Sequence, residues 1–317
     1  MKSSSRLYDL YYEGLYETII QLEKERKDIL GKIKLFLYIF VLFEILLIVW
    51  AFKRGDFEYP AVFFMLGIFA IGLLYDFLSK DYKNSFKTKI VKGLIKGNDP
   101  GLIYDPKGCF PFALYRASAL FEERVDRYRC QDLVYGEIDG VKIMFSDLQT
   151  WQKRRDSKGN EYWHPIFKGV FFCADFHKSF KGVTLVYPER IPFFADVADG
   201  LRQVLKRGSL EPVRLDSPEF EKSFTVYSTD QIEARYILSH SMMERILKFR
   251  SQIKRDLYLS FKDGKIFLAI EGLDNFEPPL FRSLLKFEVA KEYINSLKFT
   301  LGAVEELKLN IRIWSRV

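Results

Sequence analysis

Hydrophobic and polar positions divide the chain into four stretches. Over residues 7–34, Leu15, Ile19, Leu22, Ile29 and Ile33 recur at helical intervals with charges between them, which predicts an amphipathic helix. Tyr8, Tyr11, Tyr12 and Tyr16 add an aromatic face at its start. Two apolar runs follow, at 35–52 and 59–78, separated by the polar turn Lys53-Arg54-Gly55-Asp56-Phe57-Glu58. Neither run has a polar face at helical spacing, and each approaches the roughly 20 residues needed to cross a hydrocarbon core of about 30 Å. The prediction is a transmembrane helical hairpin over 35–78. Leu78, Tyr82, Phe86, Ile90 and Leu94 then step by four, so the second helix continues through 79–96 as a basic juxtamembrane segment. Gly97-Asn98-Asp99-Pro100-Gly101 ends it and opens the last stretch, 97–317.

That stretch is rich in strand signals. Asp139-Gly140 joins Leu133–Ile138 to Val141–Phe145, and Asp263-Gly264 joins Leu257–Lys262 to Lys265–Ile270. Both read as tight hairpins. A longer hairpin joins Phe145–Lys153 to Tyr162–Ala174 across the polar loop 154–160, with Trp151 and Trp163 beside it. With Val183–Tyr187 these strands predict an antiparallel meander. Helices are predicted at 113–123, at 194–207, after Ser217-Pro218, and at 281–306 beyond Pro278-Pro279. The capping boxes Ser228-x-x-Gln231 and Ser241-x-x-Glu244 predict two more, at 229–238 and 242–252. Phe224–Tyr227 is a short strand, and a period of two from Leu307 to Ile313 predicts a final one. Strands and helices without βαβ alternation predict an α+β fold with an antiparallel sheet and packed helices.

Charge orients the hairpin. Lys24, Arg26, Lys27, Lys32 and Lys34 precede the first run, and Lys80, Lys83, Lys87, Lys89, Lys92 and Lys96 follow the second, whereas the turn has only Lys53 and Arg54. The positive-inside rule predicts an inner-membrane, multi-pass protein with both termini and the 97–317 domain in the cytoplasm. Most of the net charge of +7 sits in the juxtamembrane lysines, which favour anionic lipid. Nothing in 97–317 has the broad basic face of a nucleic-acid binder. Cys109, Cys130 and Cys173 show no C-x-x-C spacing and read as free thiols in a cytosolic domain.

Several blocks resemble a bacterial membrane family catalogued as domain-of-unknown-function family 3137. They are the two apolar runs, Tyr128–Ser146 (YRCQDLVYGEIDGVKIMFS), Ile166–Phe172, Asp216–Leu238 (DSPEFEKSFTVYSTDQIEARYIL) and Leu307–Trp314 (LKLNIRIW). The resemblance implies a membrane hairpin followed by a cytosolic domain, and it implies no activity, cofactor or catalytic residue.

Candidate chemistry is sparse. Cys173, Asp175 and His177 alternate along one strand face, where a thiol, a carboxylate and an imidazole would make a nucleophile–base set or a metal site. A core cysteine with solvent-facing neighbours is the competing reading. Asp230 and Glu233, three apart at a helix start, would make a pair of acids; the favoured reading of the two, with Arg235, is helix-start charge and a salt bridge to a neighbouring strand. His164 and His240 lack partners at ligand spacing. No phosphate loop, nucleophile elbow, zincin or dinucleotide motif is present, so neither a cofactor nor a metal is predicted. Glu44, in the middle of the first run, is the polar oddity: an ionised carboxylate at that depth costs at least a few kcal/mol. The leading expectation is a domain that binds a partner protein or ligand at the inner-membrane surface. A membrane-tethered enzyme with an unrecognised site, and an accessory subunit of a transport or envelope complex, are the alternatives. The partners expected are the bilayer and either another protein or further copies of this chain. The N-terminal helix docks on the bilayer, on a partner or, preferentially, on the chain's own cytosolic domain.

Overall fold

A computed structural model describes residues 7–55, 58–176, 178, 180–189, 210–273 and 276–309. The expected helix at 194–207 and residues 310–313 of the expected last strand lie outside them, as does His177. The chain forms two compact units: Met1–Gly97 with Phe276–Glu292, and Asn98–Asn275 with Tyr293–Val317.

In the first unit, a π-helical turn at Leu10–Gly14 leads into α1 (Tyr16–Arg54), which runs unbroken through the boundary expected at residue 34. Nothing in the sequence breaks it, because Gly31 is the only weak helix former there and propensity alone costs it about 1 kcal/mol. Gly55, with φ of +71°, ends α1 in the left-handed conformation that glycine adopts without strain. Helix α2 (Glu58–Ser85) returns, and a π-helical turn at Phe86–Val91 continues it into α3 (Lys92–Asn98). The two long helices are apolar enough to cross a membrane, and most of their apolar side chains face outward. They pack on each other through Phe40 and Phe64, Phe43 and Phe63, and Trp50 and Tyr59. A Cβ at Gly67 would sit 1.9 Å from the Phe40 ring, so only glycine leaves room for that ring.

The N-terminal stretch packs on its own chain. Leu7, Tyr11, Ile19 and Leu22 are buried. Leu15 lies against Gly93 and Leu10 against Gly97. The segment Phe276–Lys286 crosses this base as a strap, so the last helix starts at Phe287 (α8, Phe287–Glu306) rather than at 281.

The second unit is α+β. Among the described residues its nine strands are β1 (Leu102–Asp105), β2 (Arg127–Ile138), β3 (Val141–Arg155), β4 (Glu161–Asp175), β5 (Thr184–Pro188), β6 (Glu211–Pro212), β7 (Phe224–Ser228), β8 (Leu257–Lys262) and β9 (Lys265–Glu271). They form one antiparallel sheet in the order β1-β2-β3-β4-β9-β8-β5-β7-β6. Both Asp-Gly turns have positive φ at each residue, as a two-residue hairpin requires. The simple meander holds only through β4. The β8–β9 hairpin inserts next, pairing Gly169–Asp175 of β4 with Lys265–Glu271, and β5 pairs with β8 instead of β4. A layer of aromatic side chains, including Phe110, Tyr115, Phe167, Phe171, Tyr187, Tyr258 and Phe267, covers one face of the sheet. Short helix α4 (Phe112–Ala117) contributes to it and ends before the expected 123.

Four local expectations change. Cys109 and Cys130 form a disulfide with Cα atoms 5.2 Å apart, so only Cys173 is a free thiol. The irregular lead-in brings Cys109 onto β2, a proximity that spacing alone does not reveal; Tyr128 donates to the Phe110 carbonyl beside it. Helix α5 (Pro218–Glu221) has the expected Ser217 cap. Helix α6 (Gln231–Ile237), however, is capped by Asp230, which accepts from the amides of Ile232 and Glu233, while Ser228 closes β7. Helix α7 (His240–Ile253) has Ser239 at its cap position, which places Ser241 inside the helix. Leu307–Leu309 is a turn after α8, not the start of a strand.

Candidate functional site

Of the Cys173 set, the structure describes Cys173 and Asp175. Register places Cys173 opposite Phe267 and Met144, within the aromatic layer. Burial pushes its thiol up to about 12, slightly countered by Lys265, so it holds its proton at neutral pH. Asp175, at the strand end, accepts from Lys265 at 2.6 Å. A thiol buried in apolar core beside a satisfied carboxylate lacks the exposed thiolate that nucleophilic chemistry needs. Among the described residues no group of His, Cys, Asp and Glu could hold a metal. Asp230 and Glu233 are likewise structural: Glu233 accepts from the amides of Lys181 and Gly182, and Arg235 donates to the carbonyls of Gln231 and Arg214 rather than forming a salt bridge.

Glu44 is 7% exposed and its Oε1 has no hydrogen-bond partner. It lines a crevice of about 440 Å³ between α1 and α2, with Phe40, Val41, Ile45, Pro60 and Phe64. Of the juxtamembrane lysines, Lys80, Lys89, Lys92 and Lys96 are exposed. Lys83 is half-buried over the Tyr75 ring. Lys87 departs from the expected lipid-facing position: it is buried and pairs with Glu277 at 2.8 Å.

The surface with the chemistry of a binding site lies at the open end of β2, β3 and β4. Register sets Arg127 opposite Trp151, Arg129 opposite Gln149, and Lys153 opposite Trp163. The Arg127 guanidinium stands 4.8 Å from the Trp163 ring centre and 5.9 Å from that of Trp151, and Arg129 stands 5.8 Å from Trp151. Trp163 is 44% exposed. No carboxylate among the described residues pairs with either arginine, whereas Lys153 and Arg155 are occupied by Glu161. A cleft of about 240 Å³ adjoins this face, lined by Arg129, Gln131, Asp147, Gln149 and Lys168. Stacking holds the guanidinium planes while leaving their N–H groups to donate, a geometry suited to carboxylates. Two tryptophans flanking one loop are the part of this face legible in the sequence; the arginines lie across the sheet on β2, beyond any local pattern.

Residues 165–309 match the family model described as "Protein of unknown function (DUF3137)". The match takes in all but the start of β4 and runs past the end of α8; the hairpin and the Tyr128–Ser146 block lie outside it. No curated protein matches the chain. Among solved structures, the mycobacterial trehalose monomycolate transport factor A, TtfA, is similar at 11% identity, covering 67% of this chain and 90% of that one, with a TM-score of 0.35.

Proposed function

We propose that this is a two-span inner-membrane protein with cytoplasmic termini, whose α+β domain docks an acidic segment of a partner protein at the membrane surface. The observation that carries the reading is the exposed Arg127 guanidinium held between Trp151 and Trp163 with no carboxylate partner among the described residues. Trp and Arg dominate the binding energy of protein interfaces, and pre-stacked arginines lose little entropy on engaging a carboxylate. The hairpin concentrates the domain where such a partner would lie. The lysines flanking the apolar runs support the orientation. The Cys109–Cys130 disulfide pulls the other way, since disulfides persist mainly in oxidising compartments. We give the lysines more weight, because they act on insertion itself. A photo-crosslinking residue in place of Trp163, in living cells, tests the docking. The reading expects a discrete adduct that Arg127→Glu abolishes and that the same probe at exposed Ile232 does not give. Identical adducts from both positions, or none from position 163, would refute it.

A second reading rests on Glu44. A buried carboxylate with an unpartnered oxygen in an apolar crevice suits a hydrogen-bond donor from a third transmembrane helix, as in an accessory subunit of a membrane complex.

A further inference from the structure

We infer that the strap, with Phe287 at the head of α8, is an in-plane membrane element whose outer side chains enter the lipid interface. The inference rests on the reading of α1 and α2 as spans. The strap is pinned from within. Arg26 donates to the Leu280 carbonyl at 2.8 Å, Tyr11 to the Leu284 carbonyl at 2.9 Å, and Tyr82 to the Pro279 carbonyl at 3.3 Å. Glu23 accepts from the Leu284 amide at 3.1 Å. Leu280 and Leu284 fill the interior. A backbone fixed in this way presents its remaining side chains outward, and three of them are large and apolar: Phe281 at 73% exposure, Leu285 at 43% and Phe287 at 54%.

Position singles out lipid as the occupant. The Phe281 ring stacks on Tyr75 at 6.1 Å with an interplanar angle of 9°. Tyr75 belongs to the apolar run of α2, five residues before Lys80. At the rise of an α-helix that is about 7.5 Å below the first lysine, within the depth that in-plane segments reach. The exposed apolar surface of the strap is therefore continuous with that of the hairpin, and the Lys83 ammonium 5.4 Å from the Tyr75 ring sets that junction at the level of the headgroups. Exposed Lys286 within the strap, and exposed Lys80 five residues beyond Tyr75 on α2, carry the charge that anionic headgroups attract.

Single-cysteine nitroxide labels at Phe281, Leu66 and Ile232, read on the full chain in vesicles of phosphatidylethanolamine and phosphatidylglycerol, test this. Cys173 is buried and the other two cysteines are bonded, so the unlabelled background is measured on the unsubstituted chain. The expected result is greater accessibility to oxygen than to an aqueous nickel chelate at Leu66, the opposite at Ile232, and at Phe281 a value between them on the lipid side of balance. If Leu66 reads as lipid but Phe281 matches Ile232, the strap inference fails and the spans stand. If Leu66 itself reads as water, the spanning reading fails first. Dipolar broadening between labels at Phe281 would show that a second copy covers the strap and would overturn the lipid assignment.

Discussion

Arg26→Met probes the junction between α1 and the strap. Arg26 and Glu23 are 6% and 3% exposed and form a two-point pair at 2.7 and 2.9 Å, one helical turn apart. Burial works against ionising Glu23, but hydrogen bonds from Arg26, Ser283 and the Leu284 amide outweigh it and hold the carboxyl below its ordinary value. Removing the guanidinium strands that carboxylate and the Leu280 carbonyl together. Breaking one side of a buried pair costs about 3–5 kcal/mol. Local opening of the strap should then increase on the order of a hundred- to a few thousand-fold, at about 1.4 kcal/mol per tenfold. Hydrogen exchange at the Leu284 amide in the micelle-bound full chain reads this directly, since its bond to Glu23 exists only when the strap is seated. Glu23→Leu with Arg26→Met should recover part of the loss by removing the stranded charge. A single variant exchanging within about fivefold of the parent, below 1 kcal/mol, would refute the argument. Because the Glu23 value is lowered in the folded state, its contribution is complete above the ordinary carboxylate value and fades as pH falls through the lowered one.

Three further outcomes follow from particular side chains. Both Glu122 carboxylate oxygens are buried without hydrogen-bond partners, and burial, with Glu123 adding to it, pushes the group up to about 8. The folded protein then binds the extra proton, so stability falls as pH rises from the ordinary carboxylate range to about 8, and Glu122→Gln should flatten that slope and stabilise the protein at high pH in urea titrations; an unchanged slope would contradict this. Cys130→Ser opens a bridge spanning 21 residues and should cost about 3 kcal/mol, with the same loss on reducing the parent chain, measured as a shift of the urea midpoint; no shift in either would contradict it. Glu44→Gln should retain any co-purifying membrane partner, because an amide still hydrogen-bonds, whereas Glu44→Leu should lose it; equal retention would remove the accessory-subunit reading.

What the sequence revealed follows the range of the interactions involved. The hairpins at Asp139-Gly140 and Asp263-Gly264 were legible because two adjacent residues with positive φ decide them. The insertion of β8–β9 against β4 was not, since it pairs residues about ninety positions apart, as Asp175 with Lys265, and no local pattern encodes that choice. Glu44 stood out as the one charge in its run, although its unpartnered oxygen needed α2 in place. Arg26 and Glu23 read as ordinary charges of an exposed helix face, because the strap that buries them lies more than 250 residues away. Likewise Trp151 and Trp163 were noticed beside their loop, and only the register with β2 brought Arg127 between them.

The proposed docking face matters only on the side of the membrane where its partner lies, and the lysines and the disulfide disagree about that side. Labelling of intact cells with a membrane-impermeant maleimide, on variants Gly55→Cys and Ile232→Cys, decides between them. The account predicts that position 55, in the turn, labels from outside and that position 232, in the α+β domain, labels only after permeabilisation. Labelling of 232 but not 55 in intact cells would contradict it and place the domain, with its Cys109–Cys130 bond, on the oxidising side.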